Sequence, residues 1–253
     1  MRSFLAALAF LTVVPVRLRK PFSQVEVARS RVWYPVVGGL LGAVLGCADM
    51  LAARIGSAPV AAFLVLAAWV VLTGGLHVDG FCDLSDGLFG GRNAEERLLI
   101  MKDPHLGTFA LVGAVLLLLG KWVLIEELFA RGSPDGPWLV GTAVGVGRCL
   151  ALVMAAAAPY PRPEGTGKLV IEATTVPQSI LFALIACVGS VVVLFRAGVM
   201  MALIPYLASL LFVLLLRQFC LHRLGGITGD CLGAAIEAAE LVFLLVAVLT
   251  ESR

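Results

Sequence analysis

Long apolar runs constrain this chain more than any other feature. Seven runs are long enough to cross a bilayer as helices, and they cover residues 33–53, 59–76, 106–127, 138–158, 178–195, 198–216 and 232–250. Of the 253 residues, 60% are hydrophobic and 14% are charged, against about 25% charged in an ordinary soluble domain. A core of this size cannot hide so much apolar surface, so lipid must cover much of it.

The runs predict an all-α, polytopic integral membrane protein with about seven transmembrane helices. Only helices satisfy their backbone hydrogen bonds at these lengths in lipid, and the alternation typical of barrel strands is absent. We expect residues 1–253 to form one membrane-embedded catalytic domain. The first apolar stretch, of about 14 residues, is short for a full crossing. Basic residues follow it and it lacks a good cleavage site, which predicts an interfacial or re-entrant helix rather than a signal peptide.

Basic residues in the loops predict how the chain is oriented. Twelve lysines and arginines fall on one side of the runs and four on the other, which places the first side in the cytoplasm. We therefore expect a multi-pass protein of the bacterial cytoplasmic (inner) membrane. Polar, glycine-rich segments at 74–91, 159–168 and 223–230 fall on the cytoplasmic side and predict an active site there. The net charge of +2 gives no reason to expect a nucleic-acid partner.

Three acids follow the second run within one short segment. If residues 77–87 are helical, Asp79, Asp83 and Asp86 lie at positions i, i+4 and i+7 on one face. Three carboxylates there repel one another unless a cation holds them, and oxygen ligands of this kind suit Mg²⁺ bridged to phosphate. The alternative is that each acid caps a helix or lies in a solvated loop. His77, just before them, either contacts substrate or packs and orients its neighbours.

The segment 90–109 combines capping signals with basic residues. Asn93 and Glu96 have the spacing of a capping box, which predicts a short interfacial helix. Asp103 precedes Pro104 and is predicted to cap the next span. Arg92 and Lys102 are candidate phosphate ligands, with membrane-anchoring charges as the equal alternative.

The segment "PYPRPEGTGK", residues 159–168, is predicted to be a loop because it has three prolines and two glycines. It lacks the spacing of a Walker loop. Arg162 and Lys168 could still bring phosphate to its glycine-rich backbone, although a plain connecting loop is the simpler interpretation.

A polar stripe enters the last apolar run. Asp230, Glu237 and Glu240 follow a helical spacing, and Asp230 is either a helix cap or a functional acid. Glu237 lies about two turns inside the span and needs a charged partner, for which Lys121, Arg148 and Arg223 are candidates.

Together these features favour phosphoryl-transfer chemistry. A divalent cation would neutralise phosphate oxygens, and nearby basic side chains would hold the remaining charge. No Ser/His/Asp or Cys/His arrangement is evident, and the six cysteines contain no CxxC pair that would indicate zinc. One rival is a CDP-alcohol phosphotransferase, although its D-G-x-x-A-R pattern is not met after Asp86. Another is an ion-coupled transporter, which predicts acids spread through the depth of the membrane.

The chain resembles the cobalamin synthase, or adenosylcobinamide-GDP ribazoletransferase, family. The resemblance is carried by the segments "GGLHVDGFCDLSDGLFGG", "IMKDPHLGTF" and "GGITGDCLGAAIEAAELV", and it extends through "LAFLTVVPV" and "YPVVGGLLGA" over nearly the whole chain. It implies that adenosylcobinamide-GDP reacts with α-ribazole or its 5′-phosphate at the phosphorus bonded to cobinamide. The products would be adenosylcobalamin or its 5′-phosphate and GMP, with Mg²⁺ as the cofactor. Separately from the resemblance, a homo-oligomer is a possible assembly.

The resemblance also suggests residue roles. The positions that match the family are His77, Asp79, Asp83, Asp86, Asp103, Asp230 and Glu237. Relatives usually have Ser and a basic residue where this chain has Pro104 and His105, so His105 is given no role.

We expect Asp79, Asp83 and Asp86 to hold Mg²⁺ against the diphosphate. Asp83, Asp86 and Asp230 are the candidate catalytic residues. The candidate substrate-binding residues are His77, Arg92, Lys102, Arg223 and Glu237.

Overall fold

The computed structural model describes residues 1–17, 20–165, 167–193, 195 and 199–251, and these residues contain twelve α-helices and no strand. The all-α prediction is therefore confirmed. The helices are α1 Arg2–Leu11, α2 Gln24–Ser30, α3 Tyr34–Ala52, α4 Ala58–Thr73, α5 Leu76–Gly90, α6 Ala94–Ile100, α7 Thr108–Ala130, α8 Gly136–Ala155, α9 Lys168–Ala173, α10 Val176–Val193, α11 Val199–Leu224 and α12 Gly229–Thr250.

The predicted count of seven spans is not confirmed. Within the described residues, five helical segments are long and apolar enough to cross a membrane, and six if the bent pair α4–α5 is taken as one span. The predicted runs 59–76 and 178–195 correspond to α4 and α10, which are the shorter ones. With 16 residues, α4 extends about 24 Å, less than the roughly 30 Å of a hydrocarbon core.

Helices α8 and α12 form the centre of the bundle. In the most apolar window of α8, 83% of residues are buried, against 28% in that of α7, whose outer face carries exposed leucines and valines. Close packing in the centre depends on small residues. A Cβ atom added to Gly42 of α3 would lie 2.2 Å from the carbonyl oxygen of Gly141 in α8, so neither backbone tolerates a side chain at this crossing.

A sharp bend separates α4 from α5. Gly74 and Gly75 have φ angles of 64° and 69°, a left-handed conformation that glycine adopts without steric cost, and the two helices meet at 86°. Helix α5 then packs across the beginning of α12, where Gly80 and Gly233 allow the backbones to approach closely. The bend is what places the acids of α5 beside the N-terminus of α12.

The remaining short elements gather at the same end of the bundle as α5. Helix α1 has only 10 residues and packs against α2, where Arg2 forms an ion pair of 2.5 Å with Glu26. Such a length cannot cross a bilayer, as the sequence predicted. Whether α1 lies at the interface or re-enters the membrane stays a prediction.

Candidate active site

The three predicted acids lie on α5, so the helical spacing that the sequence predicted is confirmed. Asp79 is exposed, while Asp83 and Asp86 are half-buried. The charges of Asp79, Asp86 and Asp230 all act on the Asp83 carboxyl. The structure thus brings four carboxylates into one electrostatic neighbourhood at the junction of α5 and α12.

Asp86 anchors the beginning of the next long helix. Its Oδ2 accepts a hydrogen bond of 2.7 Å from the Gly107 amide, and its Oδ1 accepts one of 2.9 Å from the Ala110 amide. These amides belong to the first turn of α7, which has no intrahelical acceptors for them. Asp86 therefore caps α7 from 21 residues upstream.

The prediction that Asp103 caps this helix was wrong. Helix α7 begins after Gly107, and Asp103 Oδ1 instead accepts a hydrogen bond of 3.0 Å from the His105 amide and contacts the His105 ring at 2.6 Å. The backbone amide of His105, followed by its side chain, lowers the pKa of Asp103. The Asp-Pro pair therefore forms a short turn before the helix and does not begin the helix.

Nearby, Asn93 caps α6 as predicted, since its Oδ1 accepts from the Glu96 amide at 2.9 Å. The Glu96 carboxylate accepts from the Arg92 amide and not from the Asn93 amide, so the capping box is displaced by one residue.

Asp230 lies in the first turn of α12 and is paired with an arginine from the 159–168 loop. Arg162 Nη1 donates to Asp230 Oδ2 at 2.9 Å, and the Thr228 hydroxyl contacts the same oxygen at 3.2 Å. The cap of α12 is Thr228, whose Oγ1 accepts from the Cys231 amide, so capping does not explain Asp230.

Asp79 and Asp83 differ from these two acids. Among the residues that the structure describes, neither carboxylate takes part in a hydrogen bond or an ion pair. Within the same part of the chain, no group of three or more His, Cys, Asp or Glu side chains is close enough to hold a metal ion by itself. Any cation bound here would need ligands from another source.

The predicted convergence of the polar loops is confirmed. The Ile227 amide donates to the Pro159 carbonyl at 2.9 Å, which joins the 223–230 segment to the 159–168 loop. A Cβ atom at Gly80 would lie 3.1 Å from Asp230 Cα, which shows how closely α5 approaches the same segment. The sidedness of this end in a membrane stays a prediction.

His77 and Glu237 lie deeper than the acids. His77 is 3% exposed, and neither ring nitrogen has a hydrogen-bond partner among the described residues. Glu237 accepts a hydrogen bond of 2.6 Å from Lys121, one of the partners that the sequence suggested. Lys121 also pairs with Glu240, which in turn pairs with Arg148. Glu237 is thus neutralised inside the bundle, and a contact with substrate stays a prediction.

The three basic residues predicted to bind substrate lie at the edge of the site. Arg92, Lys102 and Arg223 are exposed, and Arg223 stacks over the Phe219 ring at 5.2 Å. The buried guanidinium of Arg97 joins two of them by donating to the Arg223 and Arg92 carbonyls at 3.1 and 3.2 Å. Their exposed side chains can reach a ligand at this surface, and their role in binding substrate stays a prediction.

The pairing of Arg162 with Asp230 was the main feature of the site that the spacing could not specify. Its signal was a basic residue in a proline- and glycine-rich loop on the same side as the acids. A distance of 68 residues along the chain separates the two, so only the packing of the loop against α12 brings them together.

Fold and site together define a helical, multi-pass membrane protein with a carboxylate cluster and a paired arginine at one end of the bundle. The model of the cobalamin-5-phosphate synthase family matches residues 3–248, and the chain belongs to this family. The resemblance inferred from the sequence motifs is thereby confirmed.

Curated relatives cover nearly the whole chain. Proteins called adenosylcobinamide-GDP ribazoletransferase are 41% identical in Pseudomonas entomophila (97% of this chain and 98% of the relative) and 36% identical in Chlorobium phaeobacteroides (96% and 95%). The relative from Vibrio cholerae is 34% identical over 96% of this chain and 92% of its own length. No solved structure matches the chain.

Proposed function

We propose that this protein is an adenosylcobinamide-GDP ribazoletransferase. It transfers the adenosylcobinamide phosphate group to α-ribazole or its 5′-phosphate, and it releases GMP. The observation that carries the proposal is the family match over residues 3–248, supported by relatives of this name that align with the chain over 95% and 98% of their own length. Neither rival is favoured, since the family match points to neither a CDP-alcohol substrate nor ion transport.

The site suits the departure of a nucleotide from a diphosphate. The ribazole hydroxyl attacks the phosphorus bonded to cobinamide, the bond from that phosphorus to the GMP oxygen breaks, and the hydroxyl proton leaves to a carboxylate or water. Asp230 is the candidate base because it lies beside Asp83 and is held by Arg162. The exposed cations Arg92, Lys102 and Arg223 attract the negatively charged substrate to this end of the bundle.

The carboxylates can hold Mg²⁺ if substrate phosphates and water supply its remaining ligands. Mg²⁺ is usually bound by one or two carboxylates together with substrate phosphates and water, so a three-residue protein cage is not required. Asp79 and Asp83, whose oxygens have no donors among the described residues, are the principal ligands in this proposal. Asp86 would contribute the lone pairs that its two backbone hydrogen bonds leave free. When bound, the ion would neutralise charge on the diphosphate.

The proposal includes the bacterial inner membrane as the location, the cytoplasm as the side that the site faces, and a possible homo-oligomer. The membrane location and the cytoplasmic orientation rest on the excess of lysine and arginine in the loops at this end.

The direct test is the release of GMP from adenosylcobinamide-GDP by the purified full-length protein in detergent or nanodiscs. We expect GMP only when α-ribazole or its 5′-phosphate is present. Chelation of divalent ions should abolish the release, and added Mg²⁺ should restore it. Release of CMP from a CDP-alcohol, with none from the corrinoid, would refute the proposal.

A further inference from the structure

The guanidinium of Arg162 is only partly used by the contacts that hold it. Its side chain is 10% exposed, and a single nitrogen, Nη1, is bonded to Asp230. Nε and Nη2 are buried and have no hydrogen-bond partner among the described residues. Leaving two donors of a buried cation unsatisfied is unfavourable, which indicates that acceptors from another molecule complete them.

The unpaired atoms form a specific shape. Nε and Nη2 lie on the same edge of the planar guanidinium, and their N–H bonds point in parallel, which matches two oxygens of one phosphate group. Asp230, bonded to Nη1, fixes the plane without using this edge. The carboxylate thus orients the arginine and leaves its two-pronged donor edge for a ligand.

The position of Arg162 indicates where its ligand binds. The positive charge of Arg162 acts on Asp83, so the arginine borders the α5 acids. Arg162 belongs to the 159–165 segment, whose Pro159 carbonyl accepts a hydrogen bond from the Ile227 amide in the 225–229 turn. Within the same segment, Gly165 lies against the Tyr160 hydroxyl. An anion bound between this loop and the acids would contact both the arginine and any cation that the acids hold.

We propose that Arg162 is a substrate-binding residue that grips the diphosphate of the corrinoid substrate through Nε and Nη2. The inference rests on the proposed function and extends it by assigning the diphosphate to one side chain, for which the sequence favoured a plain connecting loop over phosphate binding. Because both donors are shielded from solvent, the 159–165 segment must shift as the diphosphate enters. Asp230 keeps its bond to Nη1 and orients the guanidinium as it does so.

The test measures equilibrium binding in the absence of α-ribazole, so that no turnover occurs. Adenosylcobinamide-GDP and adenosylcobinamide, which lacks the phosphates, are titrated into the full-length protein in nanodiscs, with and without Mg²⁺. For Arg162→Gln we expect affinity for the GDP ligand to fall about 10- to 100-fold, as for loss of hydrogen bonds to a charged group. Affinity for adenosylcobinamide should stay unchanged.

Two further variants keep the test decisive. Arg162→Lys retains the charge but not the two-pronged edge, so it should recover only part of the lost affinity. It also serves if Arg162→Gln does not fold, as judged by thermal unfolding. Arg29→Gln is the matched control, because it removes an exposed arginine of α2 whose side chain has no hydrogen bond or ion pair among the described residues. It should bind both ligands like the wild type.

Each other result would overturn the assignment. An equal loss for both ligands in Arg162→Gln would mean that Arg162 only supports the fold of the site. Unchanged affinity for both ligands, with the wild type preferring the GDP ligand, would show that another residue holds the diphosphate. A wild-type protein that binds neither corrinoid would refute the proposed function, and this inference with it.

Discussion

At the residue scale, the carboxyl groups of the site are chemically identical but have different roles, because their hydrogen-bond partners differ. Asp86 has a backbone amide on each oxygen, and Asp230 has an arginine and a threonine on one. Asp83 has no such partner among the described residues and feels the negative charge of its neighbours. A half-buried carboxylate next to other carboxylates is unfavourable, and a bound cation would relieve this repulsion.

Replacing Asp83 with asparagine should therefore separate activity from stability. We expect kcat/KM for GMP release to fall about 100-fold or more, since a metal ligand supports several kcal/mol of transition-state stabilisation. Thermal unfolding should be unchanged or slightly higher in temperature, because a repulsive charge is removed. Unchanged turnover with the normal dependence on Mg²⁺ would exclude Asp83 from the metal site.

Asp86→Asn should behave in the opposite way. One amide of the α7 first turn would lose its acceptor and face an NH₂ group, so we expect a loss of about 1–3 kcal/mol in the free energy of unfolding. Denaturation in detergent measures this loss directly, with Asp83→Asn as the matched control. Equal stability of the two variants would show that the cap contributes little and that Asp86 is retained for its chemistry.

At the element scale, a buried ionic network joins three helices below the acids. Lys121 of α7 pairs with Glu237 and Glu240 of α12, and Glu240 also pairs with Arg148 of α8. All four side chains are at most 3% exposed, and Lys121 also lies 4.4 Å from the centre of the Trp69 ring. Two positive and two negative charges balance, which allows the group to remain buried.

Removing one charge from this network should show how strongly the remaining buried charges destabilise the fold. We expect Lys121→Met to lower the free energy of unfolding by about 3–5 kcal/mol, because two carboxylates are left with one buried cation. Adding Glu237→Gln to that variant should recover part of the loss. Chemical denaturation in detergent provides the measurement, and exposed Lys102→Met is the control. A Lys121→Met protein as stable as the wild type would show that water or lipid headgroups reach these acids.

Apolar runs predict most of the helices here because lipid leaves the backbone no alternative, and α3, α7 and α12 begin and end within a few residues of their runs. The break after Thr73 was not predictable in the same way. Hydropathy falls after Leu76 and so marks the end of the apolar run, but it carries no information about a left-handed φ or about the angle at which the next helix leaves. Likewise, the cap of α7 and the partner of Asp230 come from residues 21 and 68 positions away, beyond the reach of local patterns.

At the scale of the whole molecule, the loops are sorted to two ends. One end has the acids of α5, the 159–168 loop and the beginning of α12. The other has the turns after α3 and α7 and the end of α12, where Arg131 donates to the Val248 carbonyl at 2.9 Å. The basic loops are concentrated at the acid end, so this end is expected to face the cytoplasm. A nucleotide-bearing, charged substrate would then reach the site without crossing the membrane.

Labelling with a membrane-impermeant maleimide tests this orientation. His105→Cys places an exposed thiol at the acid end, and Arg54→Cys places one at the opposite end. His105→Cys should react in inverted inner-membrane vesicles and Arg54→Cys in spheroplasts. The native chain serves as the blank, because its cysteines are buried or lie on apolar helix surfaces that a membrane-impermeant reagent does not reach. The reverse pattern would place the acids outside the cytoplasm, where the proposed substrate would have to be exported before it could react.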